Sequence, residues 1–146
     1  MIVKVRKTDP RAKLPTYGSA EAAGADLYAL LPTETVTVVA GKTEMIHTGV
    51  AMEIPTGYVG LVCARSGLAC KKGLAPANKV GVIDSDYRGE IIVALHNHSD
   101  VDCAIADGER IAQLVIVPYL TAELQEAETL SDTERGAGGF GSTGKK

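Results

Sequence analysis

Glu90-Ile91-Ile92-Val93-Ala94-Leu95-His96-Asn97 and Arg110-Ile111-Ala112-Gln113-Leu114-Val115-Ile116-Val117-Pro118 are the runs that decide the fold class. Both are short, β-branched and bounded by polar or turn-forming residues, which is the pattern of strands. Val101–Ile105 between them reads as another strand, and Asp107-Gly108 is a favoured turn pair. Working outward, Ile2–Arg6, Asp26–Leu30, Glu34–Val39, Thr43–Thr48, Ala51–Ile54 and Tyr58–Cys63 have the same character. Pro55-Thr56-Gly57 and Asp107-Gly108 sit where hairpins need turns. Only Ser19–Ala23 and Ser66–Lys72 suit helical turns. Many short strands at regular spacing predict an all-β sandwich or barrel. Alternating β and α units, internal repeats and a second globular domain are not expected.

The chain has 146 residues and a formal charge of −3, from 15 Lys+Arg against 18 Asp+Glu. One domain of this size buries roughly 68–70% of its unfolded surface and needs neither disulfides nor a structural metal. The acidic balance argues against a general nucleic-acid binder. Charges interrupt the apolar residues of Met1-Ile2-Val3-Lys4-Val5-Arg6-Lys7, so no signal peptide is expected there. Nowhere does an uncharged apolar run approach a membrane span. Cys63, Cys70 and Cys103 lack a C-x-x-C pair and are expected to be small hydrophobes in a reducing cytosol. His96 and His98 point to one face of a strand, an incomplete metal site that reads as solvent-facing. Asn97-His98-Ser99 matches a glycosylation sequon, and without a secretory route it is expected to be chance.

The end of the chain changes character. Ala122–Glu134 is polar and acidic, and Arg135–Gly144 carries five glycines in ten residues. The chain's single Phe, Phe140, lies in that segment, where no core strand can use it. This divides the chain into a β-barrel body over 1–121 and a flexible C-terminal arm over 122–146. Gly136-x-Gly138-x-x-Gly141 imitates a dinucleotide fingerprint, but no strand closely precedes it and no helix has room to follow. Ser142 stands where a P-loop needs lysine. The underlying chemistry survives both failures, because exposed backbone N–H groups with Arg, Ser and Thr donors suit a phosphate chain.

Arg65-Ser66-Gly67 brings a guanidinium, a hydroxyl and an accessible amide together at a strand end, as a phosphate contact or simply as a turn. Asp84 and Asp86, in Gly81-Val82-Ile83-Asp84-Ser85-Asp86-Tyr87-Arg88-Gly89, would share a face if extended. Mutual repulsion would then prepare one carboxylate to act as a base on water. The alternative is a turn whose Asp and Ser cap backbone groups. Asp26, among small apolar residues, is either a backbone cap or part of a cation site with phosphate oxygens. Gln113 sits in an apolar run and needs a partner in the protein or in a ligand.

Together and in order, these segments resemble the five blocks of the trimeric deoxyuridine triphosphate nucleotidohydrolases, the dUTPases. The blocks are Ala23–Ala29, Arg65–Ala69, Gly81–Gly89, Gly108–Gln113 and Arg135–Gly144. One departure is Ala64, where the family usually has Pro; it affects loop stiffness more than chemistry. The resemblance implies a jelly-roll-like fold, a homotrimer with active sites built from three subunits, and an arm that closes over a neighbour's site. It implies a cytoplasmic dUTP diphosphatase that keeps uracil out of DNA and supplies dUMP for thymidylate synthesis.

Residue by residue, the resemblance assigns Asp84 to activating the water that attacks the α-phosphate. Arg65, Ser66, Gly67, Gln113, Arg135, Gly141, Ser142 and Thr143 fall to the phosphates. Asn78, Val82, Ile83 and Ile92 fall to uracil, Tyr87 to the deoxyribose, and Phe140 to covering the base. Mg²⁺ would travel on the triphosphate, with Asp26 reaching it through water. The alternatives are a dCTP deaminase-like enzyme on the same fold and a catalytically silent nucleotide-sensing trimer. The intact Asp84 block and the arm favour the hydrolase.

Overall fold

Burial along Glu90–Asn97 alternates, with Ile91, Val93, Leu95 and Asn97 inside and Ile92 and His98 outside. This is the period of a half-buried antiparallel strand. In Arg110–Pro118 the adjacent residues Ile111 and Ala112 are both buried, because a register shift between Arg110 and Ala112 adds a residue to the pairing. The structure is a computed structural model and describes residues 1–139.

The strands in chain order are β1 (Lys4–Lys7), β2 (Thr16–Tyr17), β3 (Gly24–Tyr28), β4 (Thr35–Val38), β5 (Thr43–Glu53) and β6 (Tyr58–Cys63). The helix α1 (Ser66–Lys72) precedes β7 (Leu74–Pro76), β8 (Gly81–Ile83), β9 (Glu90–Asn97), β10 (Cys103–Ala106) and β11 (Arg110–Pro118). They form a four-stranded sheet β1-β5-β9-β7, a five-stranded sheet β2-β3-β11-β6-β8 and a ribbon β10-β4. Every pairing is antiparallel. The fold is all-β and jelly-roll-like, with a core of Leu27, Val38, Ile54, Leu74, Leu95 and Ile105 and their neighbours.

Two turns act differently from the sequence expectation. Pro55-Thr56-Gly57 does turn, with Tyr58 N–H donating to Pro55 O at 3.1 Å. It leads, however, from β5 in one sheet to β6 in the other, so it closes no hairpin. Asp107-Gly108 likewise carries the chain from β10 in the ribbon to β11 in the five-stranded sheet. Successive strands here alternate between layers, as a jelly-roll connection requires. A third difference lies in β5, expected as two strands. It is continuous because a bulge between His47 and Ala51 absorbs the interruption. Gly49 makes the bulge possible at φ 68°, where a Cβ would lie 2.6 Å from Ala12 Cβ and Leu30 Cδ2.

Ser19–Ala23 makes a turn and no helix, through Ala22 N–H to Ser19 O. The helix α1 ends as its sequence suggests: Gly73 adopts φ 67° and its N–H reaches the carbonyls of Ala69 and Leu68. Among the described residues no helix is long and apolar enough to cross a membrane. Asn97 is fully buried, donates to Val38 O and Val101 O, and accepts from Ser99, so its amide is engaged on every side. The three cysteines are free thiols, but Cys70 is exposed on α1 and does not serve as core filler.

Candidate active site

Two clefts collect ten of the residues singled out above: Asp26, Arg65, Ser66, Gly67 and Gln113 in one, Val82, Ile83, Asp84, Tyr87 and Ile92 in the other. The first lies where β3, β11 and the β6–α1 junction meet. Pairing sets Gln113 of β11 opposite both Asp26 of β3 and Cys63 of β6, which places Arg65 at the same end of the sheet. Asp26, only 8% exposed, accepts from Arg65 Nε at 2.7 Å on one oxygen and from Arg110 at 3.1 Å on the other. It is therefore not a backbone cap; two guanidinium groups hold it, one on each oxygen. Arg65 also donates to Arg110 O at 3.2 Å, tying the two arginines together. Gln113 finds its partner within the protein, donating from Nε2 to Ala64 O at 2.9 Å.

Gly18, Ala22, Gly24, Ser66 and Gly67 complete this cleft of about 220 Å³. Ser66 and Gly67 open α1, so their amides lie outside the intrahelical ladder. One carboxylate against two guanidinium groups leaves a net positive site with spare N–H donors, the composition an anionic oxygen cluster requires. Sequence reasoning missed Arg110. A charged residue at a strand start resembles any solvated one, and only the contact with Asp26 distinguishes it. Behind the cleft, Lys72 of α1 pairs with Glu109 at 2.9 Å. Burial pushes the Glu109 carboxyl up, but the Ala106 N–H and the nearby Lys72 and Arg65 outweigh it and hold it below the usual range.

The second cleft, about 310 Å³, lies between β8 and β9 and is lined by Met45, Val82, Ile83, Asp84, Tyr87, Glu90, Ile91 and Ile92. Val82 and Met45 are 61% and 60% exposed, an open apolar wall suited to a flat ring. Asp84 follows β8 directly and begins a turn closed by Tyr87 N–H to Asp84 O at 3.2 Å. Asp84 and Asp86 are thus in a turn and not extended, so the shared-face argument for the pair does not hold. Arg88 braces the loop by donating to Ser85 O and Tyr87 O. Tyr87 donates its hydroxyl to Glu90 O at 2.9 Å. Glu90 was also missed from sequence, since nothing in its neighbourhood marks it apart from other strand-edge acids.

Asn78 is exposed in the β7–β8 connection, beside Gly81 but outside the lining of this cleft. Arg135 is exposed and its Nε donates to Gly138 O in a local turn, so it reaches neither cleft. Phe140, Gly141, Ser142 and Thr143 lie outside the described residues. The phosphate-type residues and Asp84 line separate clefts with no residue in common.

For a metal, the donor set is informative. Among the described residues no group of three His, Cys, Asp or Glu side chains is placed to hold an ion. His96 and His98 touch edge to face at 4.4 Å between ring centroids, and no third donor joins them. Asp26 keeps a lone pair on each oxygen beyond its arginine contacts. These residues fit a hydrated ion brought by a polyphosphate and do not fit a resident cage.

The family model for dUTPase matches residues 10–144. The deoxyuridine 5'-triphosphate nucleotidohydrolase of Nautilia profundicola is 52% identical over 145 residues, covering 99% of this chain and all of that one. A point mutant of the dUTPase of Staphylococcus bacteriophage 80alpha, solved with dUpNHpp, superposes with a TM-score of 0.88 at 33% identity over 98% of both chains. A point mutant of the dUTPase from phage phi11 of S. aureus, whose structure concerns coordination of a structural Mg(II) ion, gives a TM-score of 0.78 at 30% identity. It covers 88% of this chain and 98% of its own.

Proposed function

The chain belongs to the dUTPase family, and on that premise we propose that it hydrolyses dUTP to dUMP and inorganic pyrophosphate, with Asp84 activating the water. Water oxygen bonds to the α-phosphorus while the bond from that phosphorus to the bridging oxygen breaks. Pyrophosphate leaves with the bridging oxygen, and Asp84 takes the water's proton. Positioning and charge stabilisation dominate such a step. Arg65, Ser66, Gly67 and Gln113 bind the phosphate chain, with Arg110 holding Asp26 and Arg65 in place. Val82, Ile83 and Ile92, with Asn78 beside them, receive uracil, and Tyr87 packs against the deoxyribose where a 2′-hydroxyl would need room. Mismatched donors exclude cytosine more strongly than shape alone would.

The observation that carries this reading is the division of labour between the two clefts. Among the described residues, the cationic cleft has one carboxylate, Asp26, paired with two arginines, and the apolar cleft has Asp84 but no guanidinium in its lining. Each becomes complete when paired with the other cleft of a neighbouring copy. This supports a site shared between copies of the chain; by the family resemblance the assembly is a homotrimer whose body spans 1–121 and whose arm, 122–146, crosses to a neighbour. There Arg135, Gly141, Ser142 and Thr143 meet the distal phosphate and Phe140 covers the base. Asp26 would be the residue to hold, through water, a Mg²⁺ carried by the triphosphate, and such an ion would supply neutralisation of phosphate charge. We place the enzyme in the cytoplasm, lowering dUTP available to polymerases and supplying dUMP for thymidylate synthesis.

The test is pyrophosphate release from dUTP, dTTP, dCTP, UTP and dATP, with and without Mg²⁺. Strong preference for dUTP is expected, with Asp84→Asn retaining nucleotide affinity and losing most turnover. Ammonia release from dCTP would instead identify a deaminase, and nucleotide binding without any turnover a sensing trimer.

A further inference from the structure

We propose that Glu90 is a positioning residue for sugar selection: its carboxylate fixes the start of β9 on the β5 bulge, and its carbonyl fixes the Tyr87 ring. This rests on the role proposed above for Tyr87 beside the deoxyribose.

The bulge between His47 and Ala51 interrupts the β5–β9 ladder and takes the Gly49 N–H out of regular pairing. Glu90 Oε1 accepts that N–H at 2.7 Å, and Oε2 lies 3.0 Å from His47 Nδ1. Thr48 reinforces the same join, donating its hydroxyl to Ile91 O at 2.5 Å. One residue is thus attached to β5 by both carboxylate oxygens at the point where the loop bearing Asp84 and Tyr87 enters β9. Charge-assisted bonds to backbone N–H are among the stronger ones available to a protein.

The main chain of Glu90 then does a second task. Its carbonyl accepts the Tyr87 hydroxyl at 2.9 Å, which stops the ring from swinging about its Cα–Cβ bond. Gly89 lies beneath the ring, and a Cβ there would overlap the Tyr87 hydroxyl. The ring's position therefore depends on a carbonyl whose own position depends on the Glu90 side chain. A wall that discriminates by lack of room works only if it cannot retreat, so loosening Glu90 admits the 2′-hydroxyl.

The measurement is the ratio of kcat/KM for dUTP to that for UTP, with melting recorded in parallel. Glu90→Ala is expected to lower the ratio about three- to tenfold, the scale of one intramolecular hydrogen bond. Glu90→Gln, which still offers Oε1 to Gly49, is expected to restore most of it. Tyr87→Phe, which removes the hydroxyl but leaves Glu90 intact, is expected to reproduce the loss and to add little to Glu90→Ala. If Glu90→Ala does not fold, an unchanged ratio in Tyr87→Phe alone overturns the proposal. So does a folded Glu90→Ala with the wild-type ratio when Tyr87→Ala loses selectivity. If Tyr87→Ala itself keeps the ratio, the assignment of Tyr87 to the sugar fails first and takes this proposal with it.

Discussion

Replacing Asp26 by Asn removes one charge and almost no volume, which isolates what the carboxylate contributes. The side chain is 11% exposed and accepts from two arginines at 2.7 and 3.1 Å. Each bond to a charged group is worth about 1.5–3 kcal/mol when well shielded. The Arg110 side chain is 50% exposed and can rehydrate, so its share must be discounted, whereas Arg65, at 25%, is held more closely. An Asn carbonyl keeps one donor, but its NH₂ then faces the other guanidinium. The expected loss is about 2–3 kcal/mol, which at this chain length is about 4–12 °C in melting temperature. Calorimetry at one fixed protein concentration measures it, because assembly would otherwise shift the midpoint. Adding Arg110→Gln should recover part of the loss, since the expensive species is the unpaired guanidinium. KM for Mg·dUTP should rise as Arg65 loses its orientation. A melting temperature within about 1 °C of wild type would refute the account, because the bonds would then have no net value.

Gly24→Ala would put a Cβ 2.5 Å from Gln113 Oε1 and swing that side chain away from Ala64 O; kcat/KM for dUTP should fall by about tenfold with small loss of stability. Leu95→Ala, at a fully buried site, should cost about 2–5 kcal/mol in urea unfolding while leaving phosphate specificity unchanged. Burial raises the Glu90 carboxyl, but the bonds from His47 and the Gly49 N–H outweigh it, so Glu90, like Glu109, ionises below its usual range. A depressed folded value gives stability that is complete above the unfolded value of about 4.3 and is lost as pH falls through the folded one. Urea midpoints should therefore be insensitive to these two groups near neutrality and drop below about pH 4, with a shallower drop in Glu90→Gln.

The long strands were legible because they carry their own periodicity. Tyr58–Cys63, Glu90–Asn97 and Arg110–Pro118 are expected and found with the same bounds. β2, β7 and β8 are two or three residues long, too short to have a period, and exist because a neighbouring strand offers partners. In the sequence the bulge in β5 looks like a gap between strands, because a Gly in a strand signals either. Turn residues marked the right places but not the destination of the chain after them, since whether a turn closes a hairpin or changes sheets is decided by packing. At the site, the ordered blocks were readable and their contacts were not. Asp26 and its arginines are 39 and 84 positions apart, and no local pattern records such a distance.

The separation of the two clefts has a genetic consequence. Under the trimer proposed above, the two clefts of one active site come from different chains, so a defect in one cleft is shared out and not confined to its own polypeptide. A chain lacking Asp84 still offers an intact cationic cleft, and a chain lacking Arg65 still offers an intact apolar one. Each is inactive by itself, yet hybrids formed by unfolding and reassembling an equal mixture should recover activity at about one site in four. Two null alleles of this gene would then complement one another within a single cell.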